Sequence, residues 1–216
     1  MKSKYGPKFN HDHDAPLYDE DVLHEENPVR TGYRALLTWT ASRVSSGKTA
    51  IDLGCGTGNT IACFPAMETI YAVDISRKML DVARKKLNSR RELIFIRKDL
   101  LHFCTSFHGT VDYIVSTYAI HHLLPSEKRT LFGLIHGLLA PGGEFICGDL
   151  MWKDSPDKQR MYDKYPDLLE DFEDEFYWNL ETDGVALRSA GFSLESKQFS
   201  DLSWGIRARK LTPRQS

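Results

Sequence analysis

From Thr49 onward, short runs of consecutive apolar residues alternate with longer stretches whose apolar positions recur every three or four residues. Runs of strand length lie at 49–53, 69–73, 93–96, 111–116 and 143–148. Segments such as YIVS and FIC are apolar on successive residues, as in strands covered on both faces. The intervening spacing predicts helices over 59–66, 76–87 and 126–139, with a weaker element at 100–107. This alternation predicts an α/β fold in which a parallel sheet carries helices on both sides.

The flanks read differently. Residues 29–44 place Val29, Tyr33, Leu36, Leu37, Thr40 and Val44 at helical spacing, with Gly47 as a stop. Residues 1–28 are polar and acidic, carry Pro7, Pro16 and Pro28, and read as a loosely structured arm. A helix over 180–190 ends at Gly191, and two more strands follow at 193–199 and 203–209. So little chain separates these two that they must form an antiparallel hairpin. The whole is one domain of 216 residues: an arm (1–28), a core (29–149), a long connection (150–179), then the last helix and hairpin (180–209).

Composition narrows the function class. A net charge of −2, from 28 basic and 30 acidic residues, is not the footprint of a nucleic-acid-binding protein. No apolar run is long enough to span a bilayer, and the first residues lack the apolar centre of a signal peptide. Cys55, Cys63, Cys104 and Cys147 are scattered, which suits reduced thiols in a cytoplasm better than disulfides or a zinc site. The expected partner is a small molecule, not nucleic acid or membrane, and the expected form is a monomer or homodimer.

The strongest chemical signal is AIDLGCGTGN, where a strand passes into a helix through Gly54, Gly56 and Gly58. Glycines there let the backbone approach a ligand closely. The spacing is G-x-G-x-G and not the dinucleotide G-x-G-x-x-G, and Asp52 precedes it. An acidic residue in the strand suits a ligand with positive charge better than a pyrophosphate. The next strand ends at Asp74, where a carboxylate can accept both hydroxyls of a ribose. After the third strand, Asp99 and Leu100 stand where an adenine's amino group and ring would lie. Capping a helix is the other use of an aspartate at such places.

With these residues the chain resembles the class I S-adenosylmethionine-dependent methyltransferases. IDLGCGTGN, AVDIS, RKDLL, VDYIVSTYAIHHL and LLAPGGEFIC correspond to successive motifs of that family, and the terminal hairpin is its hallmark. Within the family the chain is most similar to small-molecule enzymes of the ubiquinone/menaquinone type and to the YrrT-like group. The resemblance implies a seven-stranded Rossmann-like sheet with S-adenosyl-L-methionine as cofactor. It assigns cofactor contacts to Gly54, Gly56, Gly58, Asp74, Ile75, Asp99, Leu100 and Ser116, with Asp52 lining the floor near the methionine amino group. An aromatic–Asp element, here Tyr18 with Asp19, would close over the cofactor as part of a lid. The Asn/Asp-Pro-Pro-aromatic stretch of base and glutamine methyltransferases is absent, and Ser116 stands where catechol-type enzymes place a metal-binding Asp.

The expected reaction is methyl transfer to an O, N or S atom of a small acceptor. His121 falls in the loop over the cofactor's reactive end and is the candidate catalytic residue, as a base or as a group that shapes the pocket. His122 reads first as packing and second as part of an acceptor wall with Tyr33, Tyr118 and Trp152. Adjacent histidines can chelate a metal, but no Cys or carboxylate follows at ligand spacing, so none is expected. FNHDHD in the arm reads as a solvated segment. In residues 150–179, aromatics interleave with acids; the reading preferred is a helical hairpin with aromatics on the sheet and acids in water, the other a cap for a cationic substrate. Two other classes stay open: a cofactor-binding protein without transferase activity, and a nicotinamide-dependent oxidoreductase.

Overall fold

The computed structural model describes residues 2–3 and 11–211. Phe9 and Asn10 of the arm, and the basic tail beyond Leu211, lie outside them. From residue 11 onward the arm is not loose: α1 (Tyr18–Asp21) forms within it, and Ala15 and Val22 are buried. α2 (Tyr33–Ala41) starts four residues later than its apolar pattern, because Gly32 at φ 82° takes a left-handed turn ahead of it.

The core then runs β1 (Thr49–Leu53), α3 (Asn59–Ala62), β2 (Thr69–Asp74), α4 (Arg77–Lys86), β3 (Leu93–Arg97), α5 (Leu100–Ser106), β4 (Val111–Thr117), α6 (Pro125–Leu138) and β5 (Leu139–Trp152). α3 stops short of its expected end at 66, where Pro65 disfavours helical backbone in the residue before it. α4 shows how locally these elements are specified. Ser76 Oγ accepts the Met79 N–H at 3.0 Å, Met79, Leu80 and Ala83 point inward, and Arg84, Lys85 and Lys86 complement the carbonyl end.

After β5 come α7 (Ser155–Lys164), α8 (Leu169–Asp174), the short β6 (Trp178–Asn179), α9 (Leu180–Ser189), β7 (Phe192–Gln198) and β8 (Ser203–Lys210). The sheet order is β3-β2-β1-β4-β5-β8-β7, with β6 paired to β5. β1 to β6 pair in parallel, and β8 pairs antiparallel with both β5 and β7, as the short turn requires. The path thus has the expected seven strands, and β6, paired to β5 beside it, adds an eighth of only two residues, too few to leave a pattern.

Alternation along β1 separates the two faces. Ile51 and Leu53 pack with Phe103, Phe132 and Trp178, whereas Ala50 packs with Ile61, Ile70 and Leu80. Fully burying each such aliphatic side chain stabilises the fold by about 1.5–3 kcal/mol. A third cluster joins Tyr33 and Leu36 to Trp152, Met161, Phe172 and Tyr177, so the connection after β5 packs its aromatics as the preferred reading expected. Among the described residues no helix is long and apolar enough to cross a membrane.

Candidate active site

The strand order reverses between β1 and β4, and at that point the carboxyl ends of the strands open into a cavity of about 310 Å³. Its floor is the turn after β1. Gly54, Gly56 and Gly58 hold φ of 74°, 51° and 82°, backbone that side chains rarely adopt. A Cβ on Gly54 would overlap that of Ala119, so β1 and the loop after β4 meet in contact only because residue 54 is glycine.

Two carboxylates follow at the next strand ends. Asp74 accepts the backbone N–H groups of Gly56 and Ser76, each at 2.8 Å, so it fastens the glycine turn to β2. Burial pushes its carboxyl upward, against those hydrogen bonds. Asp99 caps α5 by accepting the His102 N–H at 3.0 Å, and its two oxygens also receive the Ser3 N–H at 3.2 Å. The arm lies over this end. Asp12 accepts from Ser76 Oγ at 2.6 Å, and Asp19 accepts from Thr57 Oγ1 at 2.6 Å and pairs with Lys86 at 2.5 Å.

At the other end stand the two histidines. Asp149, fully buried on β5, receives the N–H groups of Ile120 and His121 and the Trp178 indole N–H, each at 3.0 Å. Its other oxygen takes the Leu150 N–H at 2.9 Å and lies 2.5 Å from His121 Nδ1. An ionised carboxylate can only accept, so Nδ1 carries the proton and neutral His121 presents a bare Nε2. Nε2 is 3.7 Å from Glu175 Oε1. Burial pulls the His121 imidazole down, but Asp149 and Glu175 together outweigh it, and the net shift is upward. His122 is pushed well below its ordinary value by burial and by cationic neighbours, so it is neutral at pH 7. Its Nε2 lies 3.1 Å from that of His11.

Comparison with known proteins gives the family. Residues 50–143 match the methyltransferase domain family. The chain is 32% identical to an uncharacterized methyltransferase of Oceanobacillus iheyensis over 206 residues, 91% of this chain and 94% of that one. It is 30% identical to another from Bacillus pumilus, covering 92% and 95%. The chain belongs to the class I S-adenosylmethionine-dependent methyltransferases. Solved structures bear out the fold. The methyltransferase in a Haloferax volcanii complex with the Trm112 activator superposes with a TM-score of 0.70 at 17% identity, over 96% of this chain and 98% of that one. The N-methyltransferase NodS of Bradyrhizobium japonicum, in complex with S-adenosyl-L-homocysteine, gives 0.63 at 17% over 85% and 88%.

The methyltransferase uses S-adenosylmethionine, and its residues fit that molecule. Both oxygens of Asp52 are buried with no hydrogen-bond partner, and burial, with the nearby Asp74, pushes the carboxyl up to about 8. A positive charge brought into the cavity in front of it would favour its ionised form. Of the residues expected to touch the cofactor, Tyr18, Gly54, Gly56, Asp74, Ile75, Asp99 and Leu100 line the cavity. Asp52, Gly58 and Ser116 do not. Asp52 lies behind the wall, Gly58 faces Leu87 just past α4, and Ser116 Oγ donates to the Leu53 carbonyl at 2.7 Å, tying β4 to β1. On the acceptor side His121, Tyr33, Tyr118 and His122 line the cavity, but Trp152 does not. Its ring stacks on Tyr177 at 4.8 Å, inside the aromatic cluster.

Sequence reasoning missed Arg30, Asp149, Glu175 and Tyr177. An acid inside the apolar run of β5 was the available signal for Asp149. Glu175 alters the metal question, since His121, His122 and Glu175 place three ligand atoms within 4.8 Å of one another. The fold brings across the carboxylate that sequence spacing lacked.

Proposed function

We propose that the enzyme methylates a small-molecule acceptor and that His121, oriented by Asp149, is the residue that meets the nucleophile. The Asp149–His121 pair at the inner end of the cavity carries this reading. Asp74 would accept the ribose hydroxyls, Asp99 the adenine amino group, and Ile75 and Leu100 would flank the base. Arg30 offers a buried Nε with no protein partner, while its Nη2 donates to Asp21 at 2.8 Å. That nitrogen suits the cofactor's carboxylate, and the potential of Asp52 suits its ammonium. Tyr18 and the arm, latched through Asp12 and Asp19, would close the cavity against water.

Bound there, the cofactor supplies a methyl group on a sulfonium, already a strong electrophile. The protein's share is to align the acceptor for an in-line approach at about 3 Å and to exclude solvent. Neutral His121 would take the acceptor's proton at Nε2, and Asp149 would stabilise the resulting imidazolium. Tyr33, Tyr118 and His122 would form the acceptor wall. Support for a small acceptor comes from the modest cavity volume of about 310 Å³ and the nearly balanced net charge.

The test is a calorimetric titration with S-adenosylhomocysteine, followed by a turnover screen of wild type and His121→Ala. The expected result is micromolar binding by both proteins and turnover by wild type that falls at least about a hundredfold in the variant. Equal turnover would demote His121 to a packing role.

A further inference from the structure

We infer that the acceptor is an amine, held in its ammonium form by Glu175 and Asp171 and deprotonated by His121. This deepens, and rests on, the reading of the cavity's inner end as the acceptor site. The connection after β5 divides its residues. Its aromatics Trp152, Phe172 and Tyr177 pack together, while Glu175 and Asp171 line the cavity. Glu175 is held in place by the residue beside it: the Phe176 N–H donates to the His121 carbonyl at 2.8 Å, and the buried Lys128 ammonium donates to the Phe176 carbonyl.

Among the described residues, no lysine or arginine forms an ion pair with Glu175 or Asp171. Arg30, on the same cavity wall, is matched by Asp21. Glu175 Oε1 does lie 3.7 Å from both His121 Nε2 and His122 Nδ1, and with both imidazoles neutral the half-buried carboxylate is stabilised by a cation that the ligand supplies. A second observation points the same way. The Tyr177 hydroxyl, on a side chain only 7% exposed, lines the same cavity and has no hydrogen-bond partner. The remaining wall is aromatic, with Tyr18, Tyr33 and Tyr118, and such faces attract a cation. A carboxylate or thiolate acceptor would instead meet two like charges.

The chemistry balances. The ammonium gives one proton to His121 Nε2, which leaves a neutral amine with its lone pair. That pair forms the new C–N bond while the donor's C–S bond breaks and its electrons stay on sulfur. The products are a methylammonium ion and neutral-sulfur S-adenosylhomocysteine, and the imidazolium returns its proton to solvent.

The experiment uses the full chain with benzylamine and propylamine, set against the isosteric alcohols and thiols. Release of S-adenosylhomocysteine reports turnover, and binding of each probe to the homocysteine-loaded protein is followed by NMR. Expected are an amine preference of about tenfold or more, and a rise in amine KM of about tenfold in Glu175→Gln with unchanged affinity for S-adenosylhomocysteine. Asp171→Asn, at the more exposed of the two carboxylates, should show a smaller rise. No amine preference, or an amine affinity untouched by Glu175→Gln, overturns the inference. If S-adenosylhomocysteine binds while the amine preference is missing, only this inference falls. If it does not bind, the cofactor assignment falls as well.

Discussion

His121 and Asp149 are 28 positions apart in the chain, yet their side chains meet at 2.5 Å and the Asp149 carboxylate also takes the His121 backbone N–H. One carboxylate therefore sets both the place of the loop after β4 and the tautomer of the imidazole on it. Asp149→Asn keeps the shape and removes the charge. Turnover is expected to fall about a hundredfold or more while affinity for S-adenosylhomocysteine holds. Breaking a buried pair costs about 3–5 kcal/mol, so Tm should drop by at least about 6 °C. Wild-type turnover with a lowered Tm would assign Asp149 to stability alone.

The pH profile follows from the groups around His121. Asp149, Glu175, Lys128, His122, Tyr118 and Tyr177 face it, and the carboxylates prevail, so its pKa lies above the ordinary histidine value. As a base it must be neutral; kcat should rise with pH through that raised pKa. Stability runs the other way. The charged pair's contribution is complete below the unfolded histidine pKa and is lost as pH rises through the folded one. A kcat profile flat from pH 6 to 9 would remove the base role.

Asp52 gives a proton signature of cofactor binding. Its carboxyl sits near 8 and is mostly protonated at pH 7. An arriving ammonium favours the ionised form, so binding at pH 7 should release a proton. Titrations in buffers of different ionisation enthalpy will read this directly, and Asp52→Asn should abolish it. No linked proton in the wild type would sink the pairing.

Gly54→Ala should destabilise the fold by at least about 1–3 kcal/mol and weaken cofactor binding, since its Cβ meets that of Ala119 and its φ is 74°. Ala119→Gly in the same chain should recover the steric part and leave the backbone part. Denaturant unfolding of the single and double variants separates the two.

The three ligand atoms of His121, His122 and Glu175 invite a chelation test. With Nε2 of His121 acting on a proton, EDTA should leave turnover unchanged. Activity lost to EDTA and restored by a divalent ion would recast His121 as a ligand.

The glycine turn, Asp74 and Asp99 were legible because strand, turn and helix are consecutive there, so each residue's place follows from its neighbours. The same local logic did not show that Ser116 and Trp152 turn away from the cavity. Position at a strand end does not say whether a side chain turns to the cavity or, as Ser116 does, to the next strand's carbonyl. Glu175 was hidden among many acids in one stretch, and it is the Phe176–His121 hydrogen bond and the approach to His121 Nε2 that single it out. Nor could a sequence show that His11 reaches His122 across 111 positions.

Ser3 donates its N–H to the carboxylate proposed to receive the adenine amino group. A purine amino group reaching Asp99 would then compete with the Ser3 N–H for that carboxylate, and release of Ser3 would favour the purine. Association limited by that release would be governed by how often the protein opens and not by how often the two molecules collide. The observed rate would then level off as cofactor concentration rises, and the plateau would be a direct clock of the arm.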